Sequence, residues 1–206
     1  MAKTAKERIL KNIREGLMEA SDHPFPNMDF EQSIYPEMEN NLALEFAQHF
    51  VNEHNGEFYF CENPKEFVLH MRQLMEDRKW DNISCVDEDL KILFERVQFN
   101  QYNSNKDNFA GVTLAESLIA RDGSILLSSH QKEAHDYLLN HDAIILVTST
   151  NHIQAELNDG LNVIRKKYNS TPNCISIIKG SKPEEQLSRF SNIYTAKEIH
   201  LFLIDN

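Results

Sequence analysis

GVTLAESLIARDGSILLSS, residues 111–129, contains two short apolar runs, Leu118–Arg121 and Ser124–Leu127, joined at Asp122-Gly123. An Asp-Gly pair between apolar runs predicts a tight hairpin, because a type I′ turn needs positive φ at both central residues. Just upstream, Gly111, Thr113 and Glu116 place small and polar groups among residues that otherwise read as core. A hairpin approached by such residues is either a site or only a corner of the fold.

Working outward, the chain after Ser129 alternates helical and strand patterns. A helix is predicted over Gln131–Asn140, a strand over Ala143–Val147, a helix over His152–Tyr168 and a strand over Cys174–Ile178. A helix over Pro183–Phe190 and a strand over Ile199–Ile204 follow. Near-continuous Ile, Leu and Val runs fit strands covered on both faces. Upstream, Asn41–His54 reads as a helix closed by Gly56, and Phe58–Cys61 as a strand. Asn63 caps a helix with Pro64 at its first position, Ile83–Val86 is a strand, and Asp87 or Asp89 opens a short helix to Phe94. Val97–Tyr102 reads as a further strand. Connections this long between strands point to a mostly parallel sheet flanked by helices, an α/β class.

The N-terminal part reads differently. Residues 3–20 form an amphipathic pattern with Ala5, Ile9, Ile13 and Leu17 on one stripe. Residues 21–38 carry Pro24, Pro26 and Pro36 and cannot continue a helix. The expected organisation is an N-terminal helix and wrapping linker over 1–38, followed by an α/β domain over 39–206.

Composition excludes several function classes. The 206-residue chain is 41% hydrophobic and 26% charged, with a formal net charge of −11. That balance argues against nucleic acid as a partner, which needs clustered Lys and Arg. Absence of a long apolar run argues against membrane insertion, and the opening MAKTAKERIL lacks an apolar signal core, so a cytoplasmic location is expected. Cys61, Cys85 and Cys174 are far apart, without a C-x-x-C pair, and read as buried small hydrophobes rather than a disulfide, zinc or iron–sulfur set. The six glycines form neither a dinucleotide fingerprint nor a Walker phosphate loop, so no nucleotide cofactor is expected.

What remains is a set of polar helix starts at strand ends, where open α/β sheets place ligands. Ser128-Ser129-His130, Thr148-Ser149-Thr150 and Gly180-Ser181-Lys182 each follow a predicted strand. Their free N–H groups and Lys182 suit a small anion; an ordinary capped helix is the commoner explanation of any one of them, and three on one sheet edge bring the polar pocket level with it. Glu116 and Asp122 are the candidate catalytic carboxylates. Thr113, Gly123, Ser124, Ser129, Ser149, Gly180, Ser181, Lys182 and His200 are the candidate ligand-binding residues. His200 lies inside an apolar strand beside Glu198, where it is either a satisfied core histidine or a pocket-lining one. His152 and Glu156 share a helical face, as do Glu45 and His49, but two ligands make no catalytic metal site, and none is expected.

Several of these segments carry a resemblance. GVTLAESLIARDGSILLSS resembles a G-[IV]-T-x-A-x-x-x-I-A-[ED]-T-G-[ST]-[IL] segment of the lactate-utilization (LUD) family. ISIIKGSKPEEQ, residues 175–186, resembles that family's strand–Gly-Pro-Ser-Arg–helix element, and KEIHLFLID, residues 197–205, its closing strand. ERILKNIREGL, residues 7–17, is similar to the N-terminal helix of lactate utilization protein C. The resemblance implies a fold related to the ribose-phosphate isomerase and CoA-transferase group. It also implies an accessory, non-redox role in oxidising L-lactate to pyruvate, beside iron–sulfur partner proteins and with a small carboxylate or phosphate ligand. An isomerase or acyl/CoA-transferase-like enzyme, using Glu116 or Asp122 with Lys182 as anion holder, and a regulatory protein with a vestigial pocket are the alternatives. The chain departs from the family pattern at Arg121-Asp122-Gly123, at Gly180-Ser181-Lys182 and at Tyr194-Thr195-Ala196, all near the expected pocket.

Overall fold

The computed structural model describes Met38 and residues 41–104, 108–168, 170–179 and 198–205. The expected N-terminal helix, the linker, the Pro183–Phe190 helix and the 194–196 departure lie outside these residues. In chain order the described part runs α1 (Leu42–Gln48), a π-helical turn (His49–Glu53), β1 (Glu57–Cys61), α2 (Pro64–Arg78), β2 (Ile83–Ser84), α3 (Glu88–Arg96) and β3 (Tyr102–Asn103). It continues through β4 (Ala110–Leu114), β5 (Ser117–Ile119), β6 (Ser124–Ser128), α4 (Lys132–Asn140) and β7 (Ala143–Ser149). A 3₁₀ turn (Thr150–His152), β8 (Ile153–Gln154), α5 (Leu157–Tyr168), β9 (Ile175–Ile178) and β10 (Glu198–Ile204) complete it.

The helix starts follow capping chemistry. Asn63 accepts from Lys65 N and Glu66 N with Pro64 at the first helical position, and Asp87 accepts from Leu90 N at the head of α3. Asn41 caps α1 in the same way.

Six strands form the main sheet in the order β1-β10-β7-β4-β2-β3, with every pairing parallel. The hairpin does not belong to it. β5 and β6 lie in a second, four-stranded sheet, β8-β5-β6-β9, in which only β5–β8 is parallel. Strand alternation explains the layering. Ile145 and Val147 of β7 face a core shared with Phe67, Met71 and Met75 of α2 and Phe94 of α3. Ile144 and Leu146 face the opposite way, into a core shared with Phe46, Phe50 and the hairpin residues Leu118, Ile125 and Leu127. Behind the hairpin, Ile119 and Leu126 meet Ile164 of α5. The order is therefore helices, main sheet, small sheet, helix. Hydrophobic strands sandwiched this way bury both faces, as their composition implied.

Gly111 is required by this stacking. A Cβ there would fall 2.6 Å from the Tyr137 ring, which lies against β4. The small residue is what lets α4 approach the sheet.

Several expectations change. The hairpin register pairs Ile119 with Ser124, so residues 120–123 make the turn and only Gly123 has positive φ, at 64°. This is not a two-residue type I′ turn, because Ala120 N and Arg121 N bond outward to Gln154 O and Ala155 O beside β8. The predicted His152–Tyr168 helix gives its first residues to β8, and α5 begins only at Leu157. The strand predicted at 97–102 shrinks to Tyr102–Asn103, since α3 runs on to Arg96 and Gln98 adopts positive φ. Asn55 rather than Gly56 takes the left-handed position after the π turn. Cys61 and Cys85 are buried, and burial pushes their thiols up to about 11 and about 12. Cys174 is exposed at the foot of β9, not buried in a strand.

Candidate functional site

The three polar helix starts do not share one sheet edge. Ser128-Ser129 follows β6 and Lys179 follows β9 in the small sheet, whereas Thr148-Ser149 closes β7 in the main sheet. Two of the three nevertheless converge, because the chain passes from β4 to β5 through Leu114, Ala115 and Glu116 between the two sheets.

Glu116 is the centre of that crossing. It is 2% exposed. Its Oε1 accepts from Ser128 Oγ at 3.0 Å and from the Tyr168 hydroxyl, and its Oε2 accepts from Lys167 Nζ at 2.7 Å. A carboxylate this deep is costly unless paired and hydrogen-bonded. Here the end of β6 and the last turn of α5 supply all three partners. Burial disfavours the Lys167 charge, but the Glu116 carboxylate outweighs it and raises the lysine above its usual range. Burial and Glu116 together raise the Tyr168 phenol.

A polar surround supports this core. Gln131 Nε2 donates to Leu114 O at 2.6 Å, and its Oε1 accepts from Ser128 N at 3.3 Å. The His130 N–H donates to Ser128 Oγ at 3.3 Å, while the His130 ring stacks on Tyr168 with centroids 4.1 Å apart. Thr148 Oγ1 donates to Ala115 O at 3.4 Å and lies 3.0 Å from His152 Nδ1. Ser117 Oγ donates to His152 O at 3.1 Å, which fixes the backbone of that residue. Burial holds His152 below the ordinary histidine range, reinforced by Lys167 and opposed by Glu116. The carboxyl ends of β4, β6 and β7 therefore present a carboxylate, an ammonium, a phenol and two imidazoles. Such a set can bind a small polar anion through Lys167 and exchange protons with it.

Asp122 stands at the other end of the hairpin. Its Oδ1 accepts from Ser124 Oγ at 2.7 Å and Ser124 N at 3.2 Å, and its Oδ2 pairs with Lys179 at 2.9 Å. Burial would raise its carboxyl, but Ser124 and Lys179 hold it below the usual range. His54 Nε2 lies 2.7 Å from Asp122 O, tying the turn to the π segment. Asp122, Gly123 and Ser124 thus form a turn lock rather than a pair with Glu116.

His200 is separated from both. It lies near the amino end of β10, opposite Glu57 of β1, at the other end of the main sheet from the strand ends just described. Its side chain is 0% exposed, with Nδ1 3.0 Å from Glu57 and Nε2 3.4 Å from Glu198, within ion-pair distance but without hydrogen-bond alignment. Arg78 joins the same two carboxylates, and Tyr59 donates to Glu57 at 2.9 Å. Burial keeps His200 below its usual range despite Glu57 and Glu198.

The remaining candidates are scattered. Thr113 is buried inside β4, and Ser149 ends β7 beside Thr148. Ser129 accepts from Cys174 N at 3.4 Å. Gly180, Ser181 and Lys182 lie outside the described residues. Sequence reasoning missed Lys167, Tyr168 and Gln131, and reached Thr148 only as the first residue of a polar helix start. The available signal was the close of α5, where Arg165-Lys166-Lys167-Tyr168 ends an amphipathic helix. Glu156, grouped with His152 from spacing, instead pairs with Arg121 through Nε at 2.9 Å. Among the described residues no group of three or more His, Cys, Asp or Glu has the arrangement of a metal site. Among the same residues no helix is long and apolar enough to cross a membrane.

Comparison with known proteins bears on the fold and the family. The structure is similar to a crystal structure of a DUF162 family protein from Deinococcus radiodurans, with a TM-score of 0.59 and 11% identity. The match covers 82% of this chain and 99% of that one. At that identity it speaks for the fold, an α/β arrangement with a mostly parallel central sheet flanked by helices. No curated protein matched the chain. The LUD domain model matches residues 5–204, and DUF162 denotes that same family. The chain belongs to the LUD domain family, whose role at the family level is lactate utilization.

Proposed function

We propose that this protein is an accessory, non-redox component of L-lactate utilization that binds a small carboxylate at the Glu116–Lys167–Tyr168 cluster. The observation that carries this reading is the buried Glu116 carboxylate holding Lys167 and Tyr168 at converging strand ends. Lys167 remains 51% exposed at its side chain, so an incoming anion can reach its ammonium. Arg165 and Lys166 precede it, making the last turn of α5 cationic in a chain of net charge −11. Cations there also suit the negative end of the helix. The reading places the protein in the cytoplasm beside iron–sulfur partner proteins that carry the electrons. It treats residues 1–38 as a helix and wrapping linker and 39–206 as the LUD-like domain.

The test is calorimetric titration of the full chain with L-lactate and with pyruvate, for wild type and Lys167→Met. Binding of at least one acid that the variant loses is the expected result. Absence of binding to both, together with normal growth on L-lactate of a host lacking the protein, overturns the reading. The enzyme alternative is separated by Glu116→Gln, which abolishes turnover if Glu116 is a base but only weakens binding if it is an anchor for Lys167.

A further inference from the structure

We propose that His152 makes the cluster selective for a 2-hydroxycarboxylate over the matching 2-oxocarboxylate, by accepting the hydrogen of the 2-hydroxyl while Lys167 holds the carboxylate. The inference rests on the preceding reading and deepens it.

A hydroxyl has one hydrogen to give and two lone pairs. Thr148 is 5% exposed and Ala115 4% exposed. Water therefore has little access to the Ala115 carbonyl, and the Thr148 hydroxyl, 3.4 Å away, supplies its donor. With its hydrogen spent, Thr148 Oγ1 can only accept from His152 Nδ1, at 3.0 Å. The hydrogen-bond network thus assigns the ring hydrogen to Nδ1, leaving Nε2 as a lone-pair acceptor. Burial and the Lys167 charge together outweigh Glu116 and oppose a second proton on the ring. Ser117 holds the His152 backbone and Thr148 holds the ring at Nδ1, so the imidazole is anchored at both places.

Such an imidazole recognises a donor. A 2-hydroxyl can donate to Nε2, whereas a 2-oxo oxygen has no hydrogen and would face a lone pair. Sites built to hydrogen-bond a hydroxyl discriminate strongly against analogues that lack its hydrogen, because the partner is left unpaired. Lys167 carries three N–H donors, more than Glu116 and the adjacent Tyr168 oxygen take up, and so retains capacity for the ligand carboxylate.

The experiment is titration of the full chain with L-lactate and pyruvate near pH 7.5, comparing wild type, His152→Phe and Thr148→Val, with the unfolding midpoint of each recorded. Wild type should bind L-lactate at least about tenfold more tightly than pyruvate. His152→Phe should bring lactate down to the pyruvate level and leave pyruvate within about twofold, a ratio that mere loss of stability would not move. Thr148→Val, which frees the ring to change tautomer without altering its size, should narrow the preference while both acids still bind. Equal affinities in wild type, tighter binding of pyruvate, or a preference retained by His152→Phe overturns this inference alone. Binding of neither acid overturns the ligand reading beneath it as well.

Discussion

The hairpin carries a carboxylate at each end, and the two are handled in opposite ways. Glu116 at the open end is almost fully buried, and strand β6 and helix α5 bring it a hydroxyl, a phenol and an ammonium. Asp122 at the turn is 42% exposed at its side chain and satisfies itself mainly through Ser124, two residues away, with Lys179 at the surface. One arrangement needs three distant elements to meet, while the other is nearly complete within the turn. Long-range assembly around a buried charge is what a site demands and a corner does not. The question posed by residues 111–129 has a double answer: one end is a corner, and the other is the candidate site.

The same substitution at each end separates the two cases. Lys167→Met leaves the 0% exposed Glu116 side chain charged and without a counter-ion, keeping only the Ser128 and Tyr168 hydrogen bonds. Lys167 is itself 51% exposed, so only the carboxylate half of the pair is buried. The cost should fall between that of an exposed pair and the roughly 3 kcal/mol or more of a fully buried one, at about 2–3 kcal/mol in denaturant unfolding. A cost below about 0.5 kcal/mol, the size of an exposed pair, would mean that the Glu116 end holds no charge that depends on its partner.

Next in size is the turn itself. Gly123 has φ of 64°, and a Cβ there would sit 2.6 Å from Phe50 N and 2.9 Å from His49 C. Both conflicts are with backbone of the π segment, which cannot swing aside. Gly123→Ala is expected to cost about 2 kcal/mol from the left-handed conformation and the displaced contact. Ligand binding at the Glu116 end should survive in the fraction that stays folded. Loss of binding without loss of stability would join the two ends functionally and undo the comparison.

Much of the fold was legible and much of the site was not, for a common physical reason. Asn63-Pro64 and Asp87 announce α2 and α3 because caps are local chemistry, and strands β7 and β10 announce themselves through apolar runs buried on both faces. The hairpin was also visible, yet its turn differs from the local reading, because Ala120 and Arg121 bond to residues 154 and 155, which no local pattern reveals. β8 was hidden for the same reason, as its two residues owe their strand geometry to Leu118 and Ile119. Glu116 could be chosen from its small neighbours, but Lys167 and Tyr168 lie 51 and 52 residues away along the chain. His200 was left open by sequence between core and pocket, although the strand expected over Ile199–Ile204 already makes it the second residue, far from the carboxyl end where ligands sit. Register with Glu57 puts it at the amino end.

His200 predicts a pH effect. Burial depresses the His200 value below its ordinary 6.5, against the pull of Glu57 and Glu198. Below pH 6.5 the unfolded chain takes up a proton that the folded chain refuses, so the stability from neutral His200 is full above 6.5 and is lost as pH falls. His152 acts in the same direction. The lowered carboxyls of Glu57 and Asp122 add their own loss only below about pH 4.5, their ordinary range being 4.5 and 3.8. Between about pH 7 and about 5.5 the wild type should lose on the order of 1 kcal/mol. His200→Phe should flatten that slope, and an unchanged slope would remove His200 from the account.

The smallest effect belongs to Lys179→Met, the counterpart of the first substitution. Both side chains of the Lys179–Asp122 pair are 42% exposed, so water already solvates each charge. The pair should contribute about 0.5 kcal/mol or less, and raised salt should erase it, because exposed charges are screened over roughly 8–10 Å at moderate ionic strength. Ser124 continues to hold Asp122 in the variant, so the turn keeps its shape. The useful quantity is the ratio between the two lysine variants, measured by unfolding at low and high salt. A large, salt-resistant cost at Lys179 would show that the turn end also depends on a protected charge, and the distinction between corner and site would then rest on ligand binding alone.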